Sequence, residues 1–161
     1  MPLKGTSATF VAPVKTYSKS DLNNWSAVVR LVSRKKSFLF TGDAEFKSET
    51  DMINSKQNLQ ANVLKVGHHG AKTSTSSAFV KKVKPQYAVI SVGKNHYGRP
   101  TKEVVNLLKP AKILRTDQKG SIVFTTNGST LSVKTIEKIP KTIVFGIFPE
   151  KGCRIKNVSN P

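Results

Sequence analysis

Val63-Leu64-Lys65-Val66-Gly67-His68-His69-Gly70 is the stretch that decides the fold: a short apolar run ends at a glycine and delivers two of the three histidines in the chain. An apolar run of this length bounded by glycine reads as a buried strand, placed at about Ala61 to Val66. The Ser/Thr cluster Thr73 to Ser77 then offers N-caps for a helix through Val83, which Pro85 stops. Tyr87 to Val92 repeats the strand pattern, and Thr101 to Leu108 reads as a second helix ending before Pro110. Two strand-loop-helix units in succession, following a hairpin, predict one α/β domain. Upstream, Ala8 to Val14 reads as a strand that Pro13 stops. Ser26 to Val32 and Ser37 to Phe40 form a hairpin across the basic turn Ser33-Arg34-Lys35-Lys36. A helix is expected after Thr41-Gly42-Asp43, with Phe46, Met52 and Ile53 apolar and Glu45, Glu49 and Asp51 toward its start. Downstream, Lys112 to Thr116, Gly120 to Thr126 and Thr130 to Ile136 read as strands, with Asn127-Gly128 as the hairpin turn. Thr142 to Phe148 is one further candidate strand.

The 161 residues amount to about one domain. No apolar run approaches the roughly eighteen residues needed to span a bilayer, and the N-terminus lacks the apolar segment of a signal peptide. The compartment stays open. Cys153 is the single cysteine, which excludes an intrachain disulfide and a four-cysteine zinc site. Lysine and arginine number 27 against 9 acids, a net charge of +18. Residues 1–51 hold 8 basic and 5 acidic side chains, and residues 52–161 hold 19 and 4. Such a field attracts polyanions, so nucleic acid leads the expected partners, ahead of an anionic membrane surface. A small neutral substrate fits it poorly.

Three strand ends bring chemistry to one sheet edge, where ligand sites of open α/β sheets gather. They carry Asp43, then His68-His69, then the glycine-bracketed loop Lys94-Asn95-His96-Tyr97-Gly98-Arg99-Pro100. Each has an ordinary alternative: Asp43 as a turn or capping residue, the histidines as satisfied structural side chains. Alternation along a strand predicts that His68 and His69 point to opposite sides, so that one of them at most ligates a metal.

Four strings agree in order and spacing with a known pattern: Asn23-Asn24-Trp25-Ser26-Ala27-Val28-Val29, Phe38 to Glu45, Val63 to Gly70 with its Ser/Thr run, and Ala88 to Gly93. Over residues 7–136 the chain resembles the metallo-β-lactamase-type domain of ComEC, the bacterial DNA-uptake competence family, and its soluble relatives. The resemblance implies the C-terminal half of an αββα sandwich, a mixed sheet with flanking helices, with residues 1–139 as a partial domain and 140–161 as an extension, one extra strand and a tail. It implies a divalent metal, zinc or manganese, with Asp43 bridging two ions and His68 as a ligand. His69, Asn95 and His96 become the catalytic candidates, and Lys65, Lys72, Lys94, Tyr97 and Arg99 the substrate contacts. The implied substrate is DNA, cleaved at phosphodiester bonds, in a bacterial setting where the parent family is membrane-associated or secreted. The family's His-x-His-x-Asp-His motif is absent from these residues, and Arg99 stands where relatives carry histidine. The chain is therefore expected to bind one ion at most, to be inactive alone, and to need a missing N-terminal half-domain or a homodimer partner. The alternative is a non-catalytic basic module of the same fold that binds nucleic acid or serves assembly.

Overall fold

The computed structural model describes residues 5–137 and 143–147. Its main layer is a six-stranded mixed sheet in chain order: β1 (Thr6–Ala12), β2 (Val28–Ser33), β3 (Lys36–Phe40), β4 (Val63–Lys65), β5 (Tyr87–Ile90) and β6 (Lys112–Arg115). The first three strands pair antiparallel and β3 through β6 pair parallel. The change of sense follows from the connections: a two-residue turn joins β2 to β3, whereas each later crossover carries a helix. These helices are α1 (Phe46–Asn54), α2 (Ser77–Val83) and α3 (Lys102–Leu107). Ser76 and Thr101 cap the last two, each hydroxyl accepting the amide three residues on.

The helices cover one face of the sheet through Leu39, Leu64, Ala88 and Ile90 against Met52, Phe79, Val83, Val104 and Leu108, all essentially buried. On the opposite face Phe38, Val63, Val89 and Leu114 meet Ile122 and Phe124 of a second sheet. That sheet has the order β8 (Leu131–Ile136), β7 (Ser121–Thr126), β9 (Ile143–Ile147), with β9 parallel to β7. A single turn of helix, α4 (Thr116–Lys119), links the two sheets. The chain there was expected to stay extended through Thr116. Instead the Thr116 hydroxyl donates to Val92 O and accepts from Val92 N, which ends the strand one residue earlier. The Asn127-Gly128 turn seats against the β2–β3 turn, where Lys35 N donates to Gly128 O and a Cβ on Gly128 would collide with Arg34.

The mixed sheet with flanking helices is the architecture expected from the sequence. The expected 142–148 strand corresponds to β9, and the tail after it lies outside the described residues. Coverage of the second face is partial. Phe10 pairs with Val29, which pairs with Phe40, so all three share the face that carries Phe38. Phe10 is nevertheless 71% exposed.

Candidate functional site

The site grows from the turn after β3. Gly42 takes φ +55°, a left-handed conformation that suits glycine, and a Cβ there would lie 3.0 Å from Ser26 Cβ. Ser26 Oγ accepts from Asp43 N, and Gly42 O accepts from His68 N at 3.1 Å and Lys65 Nζ at 3.2 Å. Thr41 Oγ1 donates to Lys65 O at 2.7 Å. The Asn23-Asn24-Trp25-Ser26 string thus has a structural task. Asn24, almost fully buried, accepts from Glu45 N and Ser48 N, replacing the missing side-chain cap of α1, while Asn23 donates to Glu45 Oε1.

His68 and His69 both adopt left-handed backbone, at φ 46° and 57°. Two successive non-glycine residues there cost about 1–2 kcal/mol each, a strain that gathers at functional sites. The turn separates their rings in function. His68 is largely buried and its Nδ1 lies 3.2 Å from Glu45 Oε1, an oxygen that also takes Thr73 Oγ1 at 2.7 Å. His69 sends Nδ1 to Ser91 O at 2.6 Å. A carbonyl only accepts, so Nδ1 carries the proton and Nε2 of the neutral ring holds a free lone pair. That Nε2 stands 4.0 Å from Asp43 Oδ1, and both side chains are 45% exposed.

Asn95 holds its own loop: Oδ1 accepts from Tyr97 N and Arg99 N, and Nδ2 donates to Gly93 O and Arg99 O. The loop is fixed to the histidine turn because Thr101 N donates to Gly70 O, and Pro100 packs so closely that a Cβ on Gly70 would lie 2.6 Å from its own Cβ. Lys94, His96 and Tyr97 stand exposed on it, with the Arg99 guanidinium 5.7 Å from the Tyr97 ring. Lys72 is exposed beyond the histidine turn. Lys65 is half-buried against Gly42, and burial pushes its ammonium below the ordinary lysine value, partly opposed by Asp43. The structure therefore draws Asp43, His69 and Lys65 together, turns His68 to Glu45, and gives Asn95 a loop-forming role. Glu45, Thr73 and Ser91, which orient the histidines, were not singled out from the sequence. Glu45 could have been, since an acid two residues past Asp43 occupies the N-cap of α1.

The metallo-β-lactamase superfamily model matches residues 13–94, just over half of the chain. The chain belongs to the metallo-β-lactamase superfamily. The chain is similar to ComE operon protein 3 of Bacillus subtilis, 42% identical over 105 residues, which is 63% of this chain and 14% of that protein. It is also similar to Competence protein ComA of Neisseria gonorrhoeae, 38% over 124 residues, 74% of this chain and 18% of the other. Recombination protein 2 of Haemophilus influenzae is 38% identical over 91 residues, 56% and 11%. The ComEC-like resemblance stands on these matches, and the chain spans less than a fifth of each relative's length.

Metallo-β-lactamase superfamily members generally bind divalent metals. Asp43 Oδ1 and His69 Nε2 present two donors on one side of an ion, whereas zinc needs about four in all. Among the described residues no group of three His, Cys, Asp or Glu side chains is placed to hold a metal. The donors among the described residues do not by themselves fit a held ion.

Proposed function

We propose that the chain supplies the Asp43–His69 side of a ComEC-like metallo-β-lactamase domain, and that the completed domain hydrolyses phosphodiester bonds in DNA. The observation that carries this is the pairing of a half-exposed carboxylate with an imidazole whose tautomer is fixed by Ser91 O, so that its lone pair lies on the Asp43 side. Second-sphere hydrogen bonds of this kind set a ligating histidine's orientation. His69 takes the ligand role, with Asp43. His68 is a positioning residue tied to Glu45, and Lys65 braces the Asp43 turn through Gly42 O. Asn95 shapes the loop that carries His96, Tyr97 and Arg99, and Lys72 and Lys94 add positive charge for a phosphate backbone. The remaining donors come from a complementary segment or a second copy. The exposed strip around Phe10 and the net charge of +18 support a partner layer and a polyanionic substrate.

The test is co-expression with an N-terminal half of a ComEC-like protein that bears His-x-His-x-Asp-His, followed by a metal-dependence assay of DNA cleavage. The expected result is cleavage by the complex, none by the chain alone, and loss with Asp43→Ala. Stable pairing without cleavage would favour the second reading, a non-catalytic nucleic-acid-binding or assembly module, which the two-donor deficit also fits.

A further inference from the structure

The end of the sheet opposite Asp43 and His69 holds a second concentration of charge. Two cavities of about 400 and 430 Å³ lie there and share Gln60 and Lys84 as lining residues, so they adjoin. Their cations are Arg30, Lys35, Lys56, Lys81, Lys82 and Lys84, and no acidic side chain lines either cavity. Ser37 and Asn62, in the same wall, mark the starts of β3 and β4. At about 3.3 Å per residue, Ser37 and Asp43 are roughly 20 Å apart along the chain.

Four observations make this more than a solvated face. First, Arg30 Nε donates to Gln60 O at 2.9 Å, which holds the guanidinium in the wall. Second, the acids that could neutralise the groove are engaged elsewhere: Asp21 with Lys47, Asp51 with Lys15, Asp117 with Arg115, and Glu49 with the Thr75 and Ser76 amides. None of the ion pairs among the described residues includes a groove cation. Third, Lys56 and Lys84 sit at φ 59° and 49°, after α1 and α2, where glycine would be unstrained. Fourth, the end of α2 accounts for lysine at 81 and 82 through the helix dipole, but not for Arg30, Lys35 and Lys56 converging from three other segments.

We infer that this groove binds the phosphodiester backbone of a nucleic acid, at a site separate from the Asp43–His69 edge and independent of metal. Its recessed shape fits a linear polyanion better than a flat bilayer. It has no aromatic lining, so bases are not stacked there and binding is indifferent to sequence.

The experiment is a fluorescence-anisotropy salt titration of the chain with one labelled duplex and one labelled single strand, in chelator so that hydrolysis plays no part. Lys35→Ala/Lys81→Ala/Lys82→Ala is compared with Lys102→Ala/Lys109→Ala/Lys119→Ala, which removes equal charge from exposed lysines outside the groove. Lys84→Gly is added as a variant that removes a cation while relieving backbone strain. The groove triple is expected to lower affinity about 10-fold or more at low salt and to reduce the slope of log K against log salt by about 2–3, with Lys84→Gly reducing it by about 1. The outside triple is expected to change affinity less than about 3-fold. Equal losses from both triples would overturn the inference, since binding would then follow net charge alone. A groove triple that loses binding to phosphatidylserine vesicles while keeping nucleic acid would overturn it too.

Discussion

Glu49 shows how one residue can organise the site from beneath. Buried in α1, its carboxylate accepts from Thr75 N and Ser76 N, and so fixes the left-handed turn at Thr75 and the start of α2 behind the histidines. Replacement by alanine leaves both amides without that acceptor and is expected to cost about 2–4 kcal/mol in chemical denaturation. Burial raises the Glu49 carboxyl above the ordinary glutamate value despite the opposing amides. A raised folded pKa favours the protonated form in the native state. Its contribution is thus full below the unfolded pKa and is lost as pH rises through the folded one. The stability difference between wild type and Glu49→Gln should therefore shift against wild type on going from acid pH upward through that window, and then level off. The two histidines separate by a similar comparison. His68→Ala should destabilise by about 1 kcal/mol, through loss of its contact with Glu45, and His69→Ala by less, being half-exposed. The adjacent histidines stood out in the sequence as candidates, but their separate contacts were not legible there. Alternation along a strand applies only as far as Lys65, and by His68 the chain has entered a left-handed turn whose geometry depends on Gly42 and Glu45, far away in sequence.

Among the elements, those with strong local signals were readable: the β2–β3 hairpin, a cap for α2 within the Thr73–Ser77 cluster, and the Asn127-Gly128 turn. The joining of β1 and β6 to the sheet, and the pairing of β9 with β7 in parallel, were not readable, because strand partners are chosen by non-local packing. The Gly70–Pro100 contact belongs to this scale, since it locks the loop after β5 onto the histidine turn. Gly70→Ala places a Cβ against Pro100 at φ +80° and should cost about 2 kcal/mol or more, read as a lowered thermal midpoint. The β1–β2 edge offers a contrasting case. Phe10→Lys should leave the melting temperature of the isolated chain nearly unchanged and reduce self-association in sedimentation, because the ring is already largely in water. If the same change also blocks pairing with a complementary half, that face is the seam of the domain.

The described residues form two packed sheets, with Asp43 and His69 at one end of the larger sheet and a basic groove at the other. Its charge was plain from composition, whereas the concentration of lysines away from Asp43 required the fold, because α1, α2 and the β2–β3 turn meet there only in three dimensions. On the function proposed above, Asp43 and His69 form an incomplete ligand set. The most direct test is the metal content per chain, measured by elemental analysis after dialysis, for the isolated protein and for its complex with a His-x-His-x-Asp-His-bearing half. The expected content is at most one weakly held ion on the isolated chain and two in the complex, with a loss from the complex on Asp43→Ala or His69→Ala but not on His96→Ala. Two tightly held zinc or manganese ions on the isolated monomer would contradict it.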